Sequence, residues 1–398
     1  MSFAALALVG AVAILGPLLA LPRGWRLPVV LGELAGGIAL GPTGANLLHA
    51  RDGTFTFLAD IGFALVMFVA GSHVPVRDVA LRAASRTGVL RALGVGVLSA
   101  ALGVVLAKAF GTGHAPLYAV LLASSSAALI LPIVDSLGLG GPAVLQLLPQ
   151  VAIADATCIV ALPLAVDPAH AGRAALGALA VLATAALLLA ILWYLERTGL
   201  RRRAHKVSEQ RKFALELRVN LVLLFGLAAL ATGTHVSIML AGFSFGLVVA
   251  AVGEPRRLAR QLFAVTEGFF GPLFFVWLGA SLDLSDLARH PALIGLGLAL
   301  GAGAVATHAA MRLTGQPVPT ALLSAAQLGV PVAAATIGAQ SGVLRPGEPA
   351  ALLLGALVTV AVAVLSARLA ARSGAPAGGA PPWPEGGPAP GTAGTDGV

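Results

Sequence analysis

Charge is what this sequence has least of. Only 11% of its 398 residues are Asp, Glu, Lys or Arg, where soluble globular domains carry about 25%. With 58% hydrophobic residues and a mean hydropathy of +0.93, that shortage excludes an ordinary soluble domain. The single cysteine, Cys158, excludes an intramolecular disulfide. No His/Cys ligand cluster, phosphate-binding loop, nucleophile elbow or Cys-x-x-Cys pair appears, so nothing points to an enzyme, and no cofactor is expected. The first 21 residues lack a basic n-region and read as a membrane helix rather than a cleaved signal peptide. The net charge of +8 is no nucleic-acid signal, because the arginines gather in a few loops.

What remains is long apolar runs from end to end. They are continuous rather than alternating, which points to helices and excludes a β-barrel. The expected fold is an all-α polytopic membrane protein with about thirteen spans: 3–21, 27–46, 54–73, 88–108, 115–136, 141–166, 173–194, 213–232, 235–252, 262–281, 291–313, 318–340 and 347–371. Residues 373–398, rich in Gly, Pro and Ala, read as a disordered tail. Loops after odd-numbered spans hold eighteen Lys and Arg and loops after even-numbered spans five, which puts the N-terminus outside and the C-terminus in the cytoplasm of a cell membrane. Trp25, Trp193 and Tyr194 fall where an aromatic belt belongs.

The basic stretch from Glu196 to Lys212 follows the seventh span and divides the transmembrane domain, 1–372, into repeat 1 (about 1–166), a linker helix (about 173–194) and repeat 2 (about 213–371). Span 1 enters from one side and span 8 from the other, so the repeats have inverted topology. The fifth span of each repeat is interrupted. Span 5 carries Ser124, Ser125, Ser126 and Pro132; span 12 carries Ser324, Gln327, Gly329 and Pro331. Paired interruptions point to a transport site built from discontinuous helices, although Ser and Pro are also common in ordinary membrane helices.

Asp155 stands alone among the charged residues of the run from Leu145 to Val166. A charge at mid-bilayer costs at least ~2.5–3.5 kcal/mol on insertion scales, so it marks a functional site unless it is merely a buried acid, protonated or paired with a neighbour. A carboxylate can hold a proton or a monovalent cation in competition, the minimum an antiporter needs. Thr157 and Ser124 to Ser126 can add neutral oxygens, or can bond back to their own helices. His308 lies within span 11 and can pair with Asp155 and sense pH, or make a structural bond between helices. Glu33, Asp60, Glu216 and Glu267 read as structural pairs or funnel linings, and His73 and His235 lie nearer span ends.

Five segments carry a family resemblance: LPVVLGELAGGIALGPTG (27–44), FLADIGFALVMFVAGSHV (57–74), ASSSAALILPIVDSLGL (123–139), QVAIADATCIVALPL (150–164) and GFFGPLFFVWLGASLDL (268–284). Their order and content resemble the monovalent cation:proton antiporter-2 family, the Kef-type and Nap-type exchangers. The resemblance implies a core that moves like an elevator against a dimerisation domain, a homodimer in the lipid bilayer, and Na⁺ or K⁺ exchanged for H⁺ at Asp155. Three positions depart from it. Ala154 stands where electrogenic members have a first acid, His308 falls by rough alignment where they have a lysine, and His73 replaces an acid of the third span. One acid implies electroneutral exchange. No nucleotide-binding domain follows residue 372, so direct nucleotide control is not expected. A sodium-coupled organic-anion symporter and a non-transporting membrane sensor or subunit are the alternatives.

Overall fold

An apolar run that meets no water must bond its own peptide groups, and a helix does so within one segment. The computed structural model describes residues 1–21, 29–72, 79–137, 139–166, 168, 171–199, 215–234, 236–253, 256–282 and 284–372, and among them there are helices and turns but no strand. The all-α expectation holds. His73, His235, Trp25, most of the basic linker and the 373–398 tail lie outside the described residues. Eight helices are long and apolar enough to cross a membrane. The other five expected spans hold shorter or interrupted helices, such as Val29–Leu40 and Ile238–Val252, so the count of thirteen rests on sequence pattern rather than helix length.

The helices gather into two bundles. The first holds Phe3–Ala13, Leu15–Ala20, Val29–Leu40, Gly53–Ser72, Leu215–Gly233, Ile238–Val252 and Gly271–Ser281, the last preceded by a π-helical turn at Thr266–Phe270. The second holds Val79–Ala109, Pro142–Val166, Pro291–Ala309 and Glu348–Arg372 around two interrupted helices. The Ala171–Arg197 helix touches both, packing on Pro142–Val166 and on Ile238–Val252.

Pairings repeat between the two halves of the chain. Val29–Leu40 packs on Gly271–Ser281, and Gly53–Ser72 on Ile238–Val252. Val79–Ala109 packs on Pro142–Val166, and Pro291–Ala309 on Glu348–Arg372. Exchanging spans 1–6 with spans 8–13 turns each pair into its partner, as an inverted repeat requires.

Small residues close the first bundle's seams. A Cβ on Gly37 would run into the Val276 carbonyl and Gly279, and one on Gly246 into the Phe68 carbonyl and Gly71. These backbones meet because nothing stands between them, which matters in a bilayer, where association depends on close contact rather than on expelling water. Outward faces remain apolar, with Leu176, Leu179 and Val222 exposed. Trp193 and Tyr194 are exposed as well, and the Arg197 guanidinium lies 3.4 Å over the Trp193 ring, which fits the expected belt.

Substitution Gly37→Leu is expected to destabilise the detergent-purified protein by about 1–3 kcal/mol through overpacking. Gly226→Leu, where a Cβ meets nothing within 4 Å, should leave the melting temperature unchanged in the same assay.

Candidate functional site

Both interruptions are real breaks. The first half-helix, Ala115–Ala123, ends at Ser124, whose backbone is extended (φ −71°, ψ 154°), and helix resumes over Ala127–Ser136. The second runs Val318–Leu323, then resumes over Gly329–Gln340. Pro331 falls in the first turn of its half-helix, where a missing N–H costs nothing. Pro132 lies inside Ala127–Ser136.

A break leaves backbone groups bare, and the two breaks satisfy each other. The Ser125 hydroxyl donates to the Ser324 carbonyl (2.6 Å), and the Gln327 amide Nε2 donates to the Ser124 carbonyl (3.1 Å). Thr359, on the last helix, accepts from the Gln327 backbone N–H at 3.2 Å. Thr307 of span 11 donates to Ala304 of its own helix (3.0 Å) and, at 3.4 Å, approaches the Leu122 carbonyl. All these side chains are buried.

Asp155 enters here. The Pro142–Val166 helix brings its carboxylate to the start of the Ala127–Ser136 half-helix, where the Ala127 N–H donates to Oδ2 at 3.0 Å. That N–H has no partner within its own helix, and the helix end carries partial positive charge, so a carboxylate caps it twice over. Asp155 is 5% exposed. A carboxylate has about four lone-pair sites, so one backbone bond leaves capacity for a proton or a cation. The opposite, negative ends of the half-helices, at Ala123 and Leu323, are met by neutral donors from Gln327 and Ser125.

The expected residues fall into two groups. Asp155, Ser124, Ser125, Ser126, Gln327 and Gly329 lie at the crossing. Ser124 bonds to the Leu121 carbonyl of its own helix (2.9 Å), and the Ser126 carbonyl accepts from Leu129 and Ile130 to begin the next half-helix. A donated hydroxyl keeps lone pairs for a cation. Thr157 is not gathered in: two residues beyond Asp155 on a 3.6-residue helix puts it on the far side, and it is exposed. His308 is 1% exposed, but its Nδ1 lies 2.9 Å from the Ala304 carbonyl one turn back, and among the described residues no bond joins it to Asp155. Neither the pairing with Asp155 nor a bond between helices is seen among the described residues; the imidazole bonds within its own helix. Glu33 is buried in the first bundle within electrostatic reach of Glu267, not at the crossing.

Residues that sequence reasoning passed over complete the network. Gln150, five residues before Asp155 and 1% exposed, accepts from Gln316 Nε2 at 3.0 Å and reaches the Ser324 hydroxyl at 3.5 Å. Arg91, just inside the fourth span, donates to the Thr314 hydroxyl at 3.1 Å. Amides and hydroxyls in apolar runs were the available signal, but sequence does not say which of them meet.

Between the bundles the contact is apolar. Val30, Leu34, Phe275 and Leu278 of the first face Leu328, Val332, Leu353 and Leu357 of the second. Met67 of the first bundle lies 3.4 Å from where a Cβ on Gly329 would stand. Beyond this seam the bundles part to form a cleft of about 790 Å³ lined by Pro42, Arg51, Trp277, Ser281 and Thr336.

Residues 10–372 match the family described as "Sodium/hydrogen exchanger, transmembrane". Among curated proteins, the chain is 31% identical over 297 residues to the glutathione-regulated potassium-efflux system protein KefC of Klebsiella pneumoniae, covering 72% of this chain and 46% of that one. It is 24% identical over 308 residues to the putative Na⁺/H⁺ antiporter YjbQ of Bacillus subtilis, covering 74% and 50%. The chain thus spans about half the length of these relatives. The solved sodium proton antiporter MjNhaP1 of Methanocaldococcus jannaschii shares the fold, with a TM-score of 0.62 at 17% identity over 94% of this chain and 97% of that one. Neither the organic-anion symporter nor the non-transporting sensor gains support.

Replacement Gln327→Leu strips the buried Ser124 carbonyl of its donor. A loss of about 1–3 kcal/mol is expected in a denaturation or melting series, the cost of leaving a buried polar group unmade.

Proposed function

The chain belongs to the sodium/hydrogen exchanger family, and on that premise we propose that it exchanges a monovalent cation, Na⁺ or K⁺, for protons at Asp155. The observation that carries the reading is a single buried carboxylate bonded to the first N–H of a broken helix, at the crossing of two such breaks. Asp155 releases its proton, takes a cation, and is returned by a proton from the other side. The Ser124, Ser125 and Ser126 oxygens replace part of the cation's hydration shell.

The crossing is carried by the second bundle, which moves against the first along the apolar seam in the manner of an elevator. Leucine and valine faces give such motion no hydrogen bonds to break. The cleft supplies access on one side, and the seam closes the other. The protein works as a homodimer in the cell membrane, with the N-terminus outside and the C-terminus inside, as the arginine distribution favours. With Ala154 beside it, Asp155 is the one acid on its helix at the crossing, and one proton then leaves for each cation bound, so exchange is electroneutral.

Three outcomes test this in proteoliposomes carrying a pH dye. Asp155→Asn should reduce cation-driven proton flux to that of empty liposomes. Because proton and cation compete for one group, the apparent KM for the cation should rise on acidification, approaching tenfold per pH unit once the protonated form prevails. Turnover should give no current on a supported membrane; a sustained current would contradict one-for-one exchange.

A further inference from the structure

A second polar cluster sits away from the crossing, at the other end of the first half-helix. His114 is its N-cap residue, and Glu348 opens the last helix. The His114 Nδ1 lies 3.6 Å from Glu348 Oε2, beyond hydrogen-bond length. Arg345 joins the two segments, its backbone N–H donating to Glu348 Oε2 (2.8 Å) and its guanidinium to the Gly111 carbonyl (3.2 Å). The Tyr118 ring stands edge-on to His114 at 6.3 Å between centroids and within electrostatic reach of Glu348 and Arg345.

This cluster holds more hydrogen-bonding capacity than it uses. His114 Nδ1 and Glu348 Oε1 are buried with no hydrogen-bond partner, while the Tyr118 hydroxyl and the Thr112 side chain lie within reach of each other. Buried polar atoms are nearly always satisfied, and two left open on facing side chains call for an explanation. Glu348 is 1% exposed, while the His114 side chain, at 17%, keeps contact with solvent. A second proton on the imidazole makes both ring nitrogens donors and turns a loose approach into a charge-assisted bond.

We propose that His114 and Glu348 form a proton-binding site, separate from Asp155, that ties the loop before the first broken helix to the start of the last helix. The half-helix between this site and Ser124 has nine residues, Ala115–Ala123, about 13.5 Å of rigid rod. Anchoring one end restrains the Ser124–Ser126 break at the other. Proton binding therefore slows exchange, acting through a segment that the ion itself never touches.

Other ionisable groups lie on the elements packed around this site. The helices packed on Ala115–Ala123 contribute Lys108 at the end of Val79–Ala109, Asp155 of Pro142–Val166 and His308 of Pro291–Ala309; Gly329–Gln340 contributes none. The elements packed on Glu348–Arg372 add Arg289 and His290, with Asp135 and Asp286 at positions whose side chains lie outside the described set. Among all of these, His114 and Glu348 stand nearest to forming a new bond by gaining one proton.

The inference about rate rests on the exchange reading; the site itself does not, so two readouts are needed. Cation-driven flux is measured from pH 8.5 down to 5.5 in wild type, His114→Gln, Glu348→Gln and the double variant. The variants should match wild type at the alkaline end and exceed it severalfold at the acid end, the double no more than either single. Melting temperature in detergent is followed over the same range. Wild type should gain stability on acidification relative to all three variants. Wild-type flux profiles together with unchanged melting differences would overturn the proposal. Should wild type show no flux with any cation, the exchange reading fails and the melting series alone decides the site.

Discussion

Everything in this structure depends on one constraint: two helices are broken at a depth where no water can repair them. Each break exposes carbonyls and N–H groups that must find partners in the protein. They find them in each other. Ser125 bonds across to Ser324, Gln327 bonds back to Ser124, and Asp155 takes the N–H at Ala127. The one charged member of the crossing is also the one that can change its charge.

That economy explains the division of the molecule. The second bundle is crossed by side-chain hydrogen bonds between elements distant in sequence, from Gln316 through Gln150 to Ser324 and from Gln327 to Thr359. The first is held by bare backbone contact at Gly37, Gly279, Gly71 and Gly246. At the seam Val30, Leu34, Phe275 and Leu278 of the first bundle meet Leu328, Val332, Leu353 and Leu357 of the second. A body stiffened internally and bounded by an apolar face can shift as a unit, carrying its crossing with it.

Much of this was legible in the sequence for physical reasons. Apolar runs fix helices because no other element can be satisfied in lipid, and a lone aspartate in such a run is too costly to be incidental. Serine and proline in matching spans located both breaks. Spacing alone does not show which way a side chain turns. Thr157 looked like a ligand from its nearness in sequence, yet 3.6 residues per turn carry it to the opposite face. His308 looked like a partner for Asp155, but its own helix offers a carbonyl one turn away, and the imidazole takes it. Gln150 and Gln316 were unreadable beforehand, since their meaning lies in meeting each other across the bundle.

The most direct test of the central claim needs no membrane. Purified protein in weakly buffered detergent solution is mixed with sodium or potassium, and bound cation and released protons are counted together. If both ligands share Asp155, one proton leaves for each cation bound, and Asp155→Asn neither binds nor releases. Cation binding that releases no proton, or release that survives in Asp155→Asn, would contradict a single shared carboxylate.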